Sequence, residues 1–307
     1  MHFLPPYPTC PQLAGLDSPT SLTHICRQWR EIALTSPRLW RAFCTVYTAN
    51  QAEQTRVVET WLDRSGSCPL SIQMGSSDDE CFLALVLHRQ RWEHMHLDLE
   101  AKEMALIKGP MPLLQSLSLR VDNMEYPHPA TTAEDFPRLR TVALDAVGPG
   151  NWLPISQLTS FTIDDVDNVN NYFSLLQGAV NLVSLHLIDC GTDVPLQSSV
   201  KLARLELLVI VDLYSDGSVS KIFETFTLPA LHTLHMSAGV LGQDPEGLLT
   251  PFVARSGCKL QDVLITGVCH FPKESRRAAF PSIPNITFDR DYGWYTEEKM
   301  QLRRGFT

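Results

Sequence analysis

Apolar residues recur at the first, fourth and sixth places of a short phrase that returns along most of the chain. It is plainest in LLQSLSLRV, RLRTVALDA and NLVSLHLID, where polar residues fill most of the places between. Apolar residues two apart, flanked by polar ones, predict a strand that buries one side. Taking the first apolar residue of each phrase, the series runs Trp92, Leu114, Leu139, Leu158, Leu182, Leu202, Leu231, Leu260 and Ile283, in steps of 19 to 29 residues. The sixth phrase, SVKLARLELLVIVDL, also reads three residues later, from Leu205 through Leu208 and Ile210.

Steps of this size are those of leucine-rich-repeat units, each of which gives a strand and a returning helix or turn. A lone unit cannot cover its own apolar face, so neighbours must stack into one core. A proline stands two places before the first position at Pro112, Pro137, Pro229 and Pro281, which points to one recurring local solution. Between the phrases, VNNYFSLLQGAVNL, SKIFETFTLPAL and PEGLLTPFVARSGCKL have helical spacing and are placed on the convex side. Residues 55–74 read as a helix and a strand, and their helix-RSG-strand wording returns in PFVARSGCKLQDVLI. The expected fold is α/β: an irregular leucine-rich-repeat solenoid over 92–290 with parallel strands on its concave face. A connecting helix-strand-helix over 51–91 and a short helical segment over 1–50 precede it, and a cap or tail over 291–307 follows. An ordinary doubly wound sheet fits the same alternation, and the units lack the asparagine that follows the strand in regular leucine-rich repeats.

The helical segment has its own pattern. From Ser18, Leu22, Ile25, Cys26, Trp29, Ile32 and Ala33 recur at three- and four-residue steps, with Arg27, Gln28, Arg30 and Glu31 opposite. Ser18-Pro19 is a start signal, and Ser36-Pro37 closes the helix and opens a turn carrying Leu39 and Trp40. The stretch CRQWREIALTSPRLW, with Cys26, Trp29, Arg30, Ile32, Ala33, Pro37, Leu39 and Trp40, resembles the second half of an F-box. With the continuation TWLDRSGSCPLSIQM, it is similar to F-box proteins of basidiomycete fungi. The opening helix of an F-box is missing, and only His2, Phe3 and Leu4 stand where its tail would be.

That resemblance implies binding to a Skp-type adaptor and, through it, a cullin. Ile25, Trp29, Ile32, Pro37, Leu39 and Trp40 form the expected adaptor side. On the other reading of the same side chains, Trp29, Ile32, Leu39 and Trp40 pack the helix onto the following domain.

Composition narrows the field. The 307 residues are 44% hydrophobic, enough to bury a large core, and carry 34 acidic against 25 basic residues, a net charge of −9. Broad nucleic-acid binding needs the opposite balance. The sequence shows neither an apolar run of membrane-spanning length nor an export signal at the N-terminus, and the eight scattered cysteines suit a reducing, intracellular setting, cytoplasmic or nuclear. No CxxC pair, nucleophile elbow, phosphate loop or HExxH is present, so no metal, cofactor or catalytic residue is expected.

The third, fifth and seventh positions of each strand face away from the fourth and sixth. His96, Asp98, Arg120, Asp145, Asp164, His186 and His235 are therefore the expected partner-binding face, polar and solvated. Three readings follow: the substrate-recognition subunit of a cullin ubiquitin ligase, holding an unknown target protein; a repeat scaffold that has lost adaptor binding; or an enzyme on an α/β sheet.

Overall fold

A computed structural model of the chain describes residues 5–45, 50–75, 79–121, 128–166, 169–191, 199–212, 221–241, 245–267 and 283–289. These fall into two compact units, one of residues up to Leu139 with Ala146–Pro154, the other of Arg140–Asp145 with residues from Ile155 onward. The division falls inside the run 92–290. The predicted tail over 291–307 lies outside the described residues.

The first unit contains α1 (Pro19–Leu22), α2 (Arg27–Leu34), β1 (Ala42–Thr45), α3 (Gln51–Arg64), β2 (Leu70–Met74), α4 (Asp79–Val86), β3 (Trp92–Leu99), α5 (Ala101–Met104) and β4 (Ser116–Val121). Its four strands pair in parallel, each with the next. Strands thus begin at Ala42, within the segment expected to be purely helical. In the second unit, β5 (Thr141–Asp145), β6 (Ser160–Val166), α6 (Asn170–Leu176), β7 (Ser184–Cys190), β8 (Val200–Lys201), β9 (Leu207–Val211), α7 (Ile222–Thr225), β10 (Phe226–Thr227), β11 (Thr233–Ser237), α8 (Ala238–Leu241), α9 (Pro245–Ser256), β12 (Asp262–Thr266) and β13 (Asn285–Asp289) follow. Seven of these strands form a parallel sheet in the order β5-β6-β7-β9-β11-β12-β13, and β8 pairs with β10 apart from it. The fold is α/β, built from parallel strands joined by helices and turns.

The spacing of apolar residues becomes physical at the first position. Its amide donates to the carbonyl three residues back in Trp40, Trp92, Leu114, Leu139, Leu158, Leu182, Leu205 and Leu231, closing a tight turn before each strand. Pro112, Pro137 and Pro229 sit second in such turns, where a fixed φ is already right. The second-position carbonyls of Arg140, Thr159, Val183, Glu206 and His232 each accept two amides from the next unit. These five phrases of the second unit are thereby each locked to the next before side chains are considered. Fourth and sixth positions are buried as expected in Met95 and Leu97, Leu117 and Leu119, Val142 and Leu144, Phe161 and Ile163, and Leu185 and Leu187, whereas Ile286 and Phe288 of the last phrase are half-buried. Helices cover this side, with Trp61 of α3 against Phe43 and Tyr172 of α6 against Phe161.

Two readings of register change. Leu205 rather than Leu202 begins the sixth phrase, since Leu208 and Ile210 pair with Leu234 and Met236. Trp40 is also a first position, because Phe43 and Thr45 pair with Ile72 and Met74, which in turn pair with Met95 and Leu97. The eighth position has a left-handed backbone in Ala146, Asp165, Asp189 and Gly267, turning the chain off the strand. At the ninth, Val147, Val166 and Cys190 are buried, and the Cys190 thiol donates to the carbonyl of Ile163 on β6. Small apolar side chains and a thiol stand here in place of the missing asparagine.

Candidate functional site

Around helix α2 several large apolar side chains are left exposed together, besides Leu16, Leu83 and Leu87 elsewhere in the first unit. The helix expected from Ser18 is in fact two pieces: Ser18 caps α1, its Oγ accepting the Thr20 amide at 3.2 Å, and the chain breaks before restarting at Arg27. The end of α2 is satisfied locally, since Thr35 Oγ1 donates to the Glu31 carbonyl at 2.8 Å and Ser36 Oγ to that of Ile32 at 2.6 Å. Arg30 ties it back to the Thr23 carbonyl at 2.7 Å, and Arg27 pairs with Glu31 on the solvent side. Only Ala33 of α2 is buried.

What remains in solvent is large and apolar: Ile25 is 59% exposed, Trp29 43%, Ile32 51% and Leu34 39%. Trp29, Ile32, Pro37 and Leu39 line a groove of about 530 Å³, floored by Leu22 and Ala33. Four of the six expected adaptor residues are thus brought together, and Ile25 is exposed without lining the groove. Trp40 is a correction. It is fully buried, its Nε1 donates to the Ala33 carbonyl at 2.8 Å, and its ring meets Trp61 edge-on at 5.1 Å beneath the Arg64 guanidinium. A first-position side chain points into the core, so Trp40 holds α2 in place and meets no partner.

A second, smaller cavity of about 190 Å³ shares Arg38 and Leu39 with the groove and is completed by Pro5, Tyr7, Thr9, Pro11 and Arg41. It exists because residues 5–12 run as a strap, with a turn at Tyr7-Pro8 closed by the Thr9 amide on the Pro6 carbonyl. The Cys44 amide donates to Pro11, Gln12 bridges to Cys44, and Ser71 Oγ donates to Pro8 at 2.6 Å. Tyr7 donates its hydroxyl to Glu93, sits edge-on to His94 and carries the Arg41 guanidinium 3.6 Å above its ring. Burial first, then the bond to Glu93, raises the Tyr7 pKa, and burial pushes the Cys10 thiol up to about 12. No helix forms over residues 5–12, and His2, Phe3 and Leu4 lie outside the described residues. Sequence reasoning missed Tyr7, Arg38 and Arg41; the proline-rich wording of the strap was its one signal.

The strand face opposite the helices differs from expectation. His96, Asp164 and His186 are buried, contrary to their reading as solvated contacts, while Asp98, Arg120, Asp145 and His235 are half-buried. The fifth-position row carries Thr162, His186 and Val209 side by side, all less than 9% exposed, so polarity there does not mean solvation. His186 bonds to Ser184 Oγ through Nε2 at 2.8 Å, and burial, with a smaller push from His235, lowers its pKa to about 4. His235 is also lowered by burial. His186 on β7 and His235 on β11 are separated by β9, whose Val209 stands between them in the register. Asp98 and Arg120 are register partners of opposite charge, and Asp145 and Asp164 of like charge. Among the described residues no group of three His, Cys, Asp or Glu side chains suits a metal ion, and no helix is long and apolar enough to cross a membrane.

No protein-family model matches the chain, and no curated protein does. Among solved structures, a crystal structure of a Bacteroides fragilis protein, a structural-genomics target, is similar with a TM-score of 0.49 and 19% identity. The match covers 82% of this chain and 74% of that one. A likeness at that level carries no functional information.

Proposed function

We propose that the chain is a non-catalytic receptor that docks to a Skp-type adaptor of a cullin ubiquitin ligase through α2 and holds a target protein on its leucine-rich-repeat-like strands. The observation that carries the reading is the groove. Trp29, Ile32 and Pro37, part of the F-box-like wording, are exposed and line it together with the half-buried Leu39, and contiguous exposed apolar surface of this kind marks an interaction site. Such a receptor contributes proximity, raising the effective concentration of a target lysine near a thioester carried elsewhere.

Co-purification with a fungal Skp-type adaptor tests it. The wild-type chain is expected to capture the adaptor and Trp29→Ala with Ile32→Ala to lose it without loss of fold. No capture by the wild type overturns the reading.

A second reading, a scaffold without adaptor binding, is favoured by one observation. The Trp92 indole donates to Leu85 on α4 at 3.2 Å as Trp40 does to Ala33 on α2, so α2 is built like a helix of the repeat.

A further inference from the structure

The groove and the strap cavity share Arg38 and Leu39, which makes one docking surface with an apolar and a cationic end. Its charge is unlike the rest of the chain. Arg27, Arg30, Arg38 and Arg41 lie within residues 18–43 against the single acid Glu31, in a protein of net charge −9. Glu31 is taken by Arg27, and Glu93 by Tyr7 and Gln115. Among the described residues neither Arg38 nor Arg41 has a carboxylate partner; Arg38 is exposed and the Arg41 guanidinium carbon lies 3.6 Å from the Tyr7 ring centroid. Contact with the ring restrains the guanidinium, which lowers the entropy lost when a carboxylate is gripped.

We infer that this surface takes an acidic amphipathic segment of a partner protein, with an apolar side chain in the groove beside Trp29 and Ile32 and carboxylates on Arg38 and Arg41. The inference rests on the adaptor reading and names the chemistry of the adaptor segment. A neutral apolar segment leaves both guanidiniums unused, and a basic one is repelled by them.

Two labelled helical peptides test it by fluorescence polarisation against the full chain. Both carry leucines on one face, one with glutamates opposite and the other with lysines. The glutamate peptide is expected to bind at least about tenfold more tightly, and added salt should narrow the difference. Arg38→Glu, a change at an exposed side chain, is expected to abolish that preference with an unchanged melting temperature, and Trp29→Ala to weaken both peptides. Equal binding of the two peptides, no binding of either, or indifference to Arg38→Glu overturns the inference. So does a dimer of the chain alone that Ile32→Arg dissociates, since the occupant is then a second copy. Glutamate-peptide binding without adaptor capture overturns the adaptor reading alone, whereas adaptor capture indifferent to Arg38→Glu overturns this inference alone.

Discussion

Trp29 and Trp40 belong to the same short wording and have opposite fates. Trp40 is a first-position residue with its indole nitrogen bonded and its ring against Trp61, so Trp40→Ala is expected to cost about 3–5 kcal/mol. Trp29 lies on the outer side of α2, and Trp29→Ala should change stability by no more than about 0.5 kcal/mol. Urea melts of the two variants check the contrast, and equal losses would contradict it.

His186 sets a pH dependence. Its folded pKa lies near 4, below the unfolded value of about 6.5, so the unfolded chain binds a proton that the folded chain refuses. Stability is therefore complete above about pH 6.5 and lost as pH falls through 4, by about 3 kcal/mol for this one group. The lowered pKa values of His94 and His235 act in the same direction. Urea midpoints between pH 7 and 4.5 should fall, and His186→Gln should flatten the slope.

Among the elements, α3 and α9 end alike. Ser65-Gly66 and Ser256-Gly257 close them with left-handed glycines, φ +55° and +65°, and a Cβ at either would meet nothing closer than Pro37 at 4.0 Å. Gly66→Ala and Gly257→Ala are thus expected to destabilise by about 1 kcal/mol each through the backbone alone. Asparagine, which tolerates that conformation, should restore part of it in the same melts.

This recurring end was legible in the repeated RSG, and most strands were legible from the apolar spacing. Two failures had physical causes. In LELLVIVDL nearly every position is apolar, so nothing in the pattern fixes the phase, and backbone pairing decides it. In β1 the first and fourth positions are Trp40 and Phe43, and two aromatics did not read as the leucine phrase. Of the docking surface, the exposed α2 residues were legible. The strap was not, because Pro5, Pro6, Pro8 and Pro11 give no periodicity.

For the whole molecule, we propose a division of labour between a repeat-like α/β core and an exposed helix in its N-terminal unit. On the proposed reading, burial of His96, Asp164 and His186 leaves the half-buried Asp98 and Arg120 of the first unit, and Asp145 and His235 of the second, as the candidates to contact a target. Asp98→Lys with Asp145→Lys is accordingly expected to weaken capture of a target protein while leaving adaptor capture unchanged, as parallel pull-downs would read. Hydrogen–deuterium exchange with and without the Skp-type adaptor tests the claim most directly. Amides of α2 and the turn through Leu39 should gain protection, with β5, β6 and β7 unchanged; no gain over residues 27–39, or a gain confined to those strands, would contradict it.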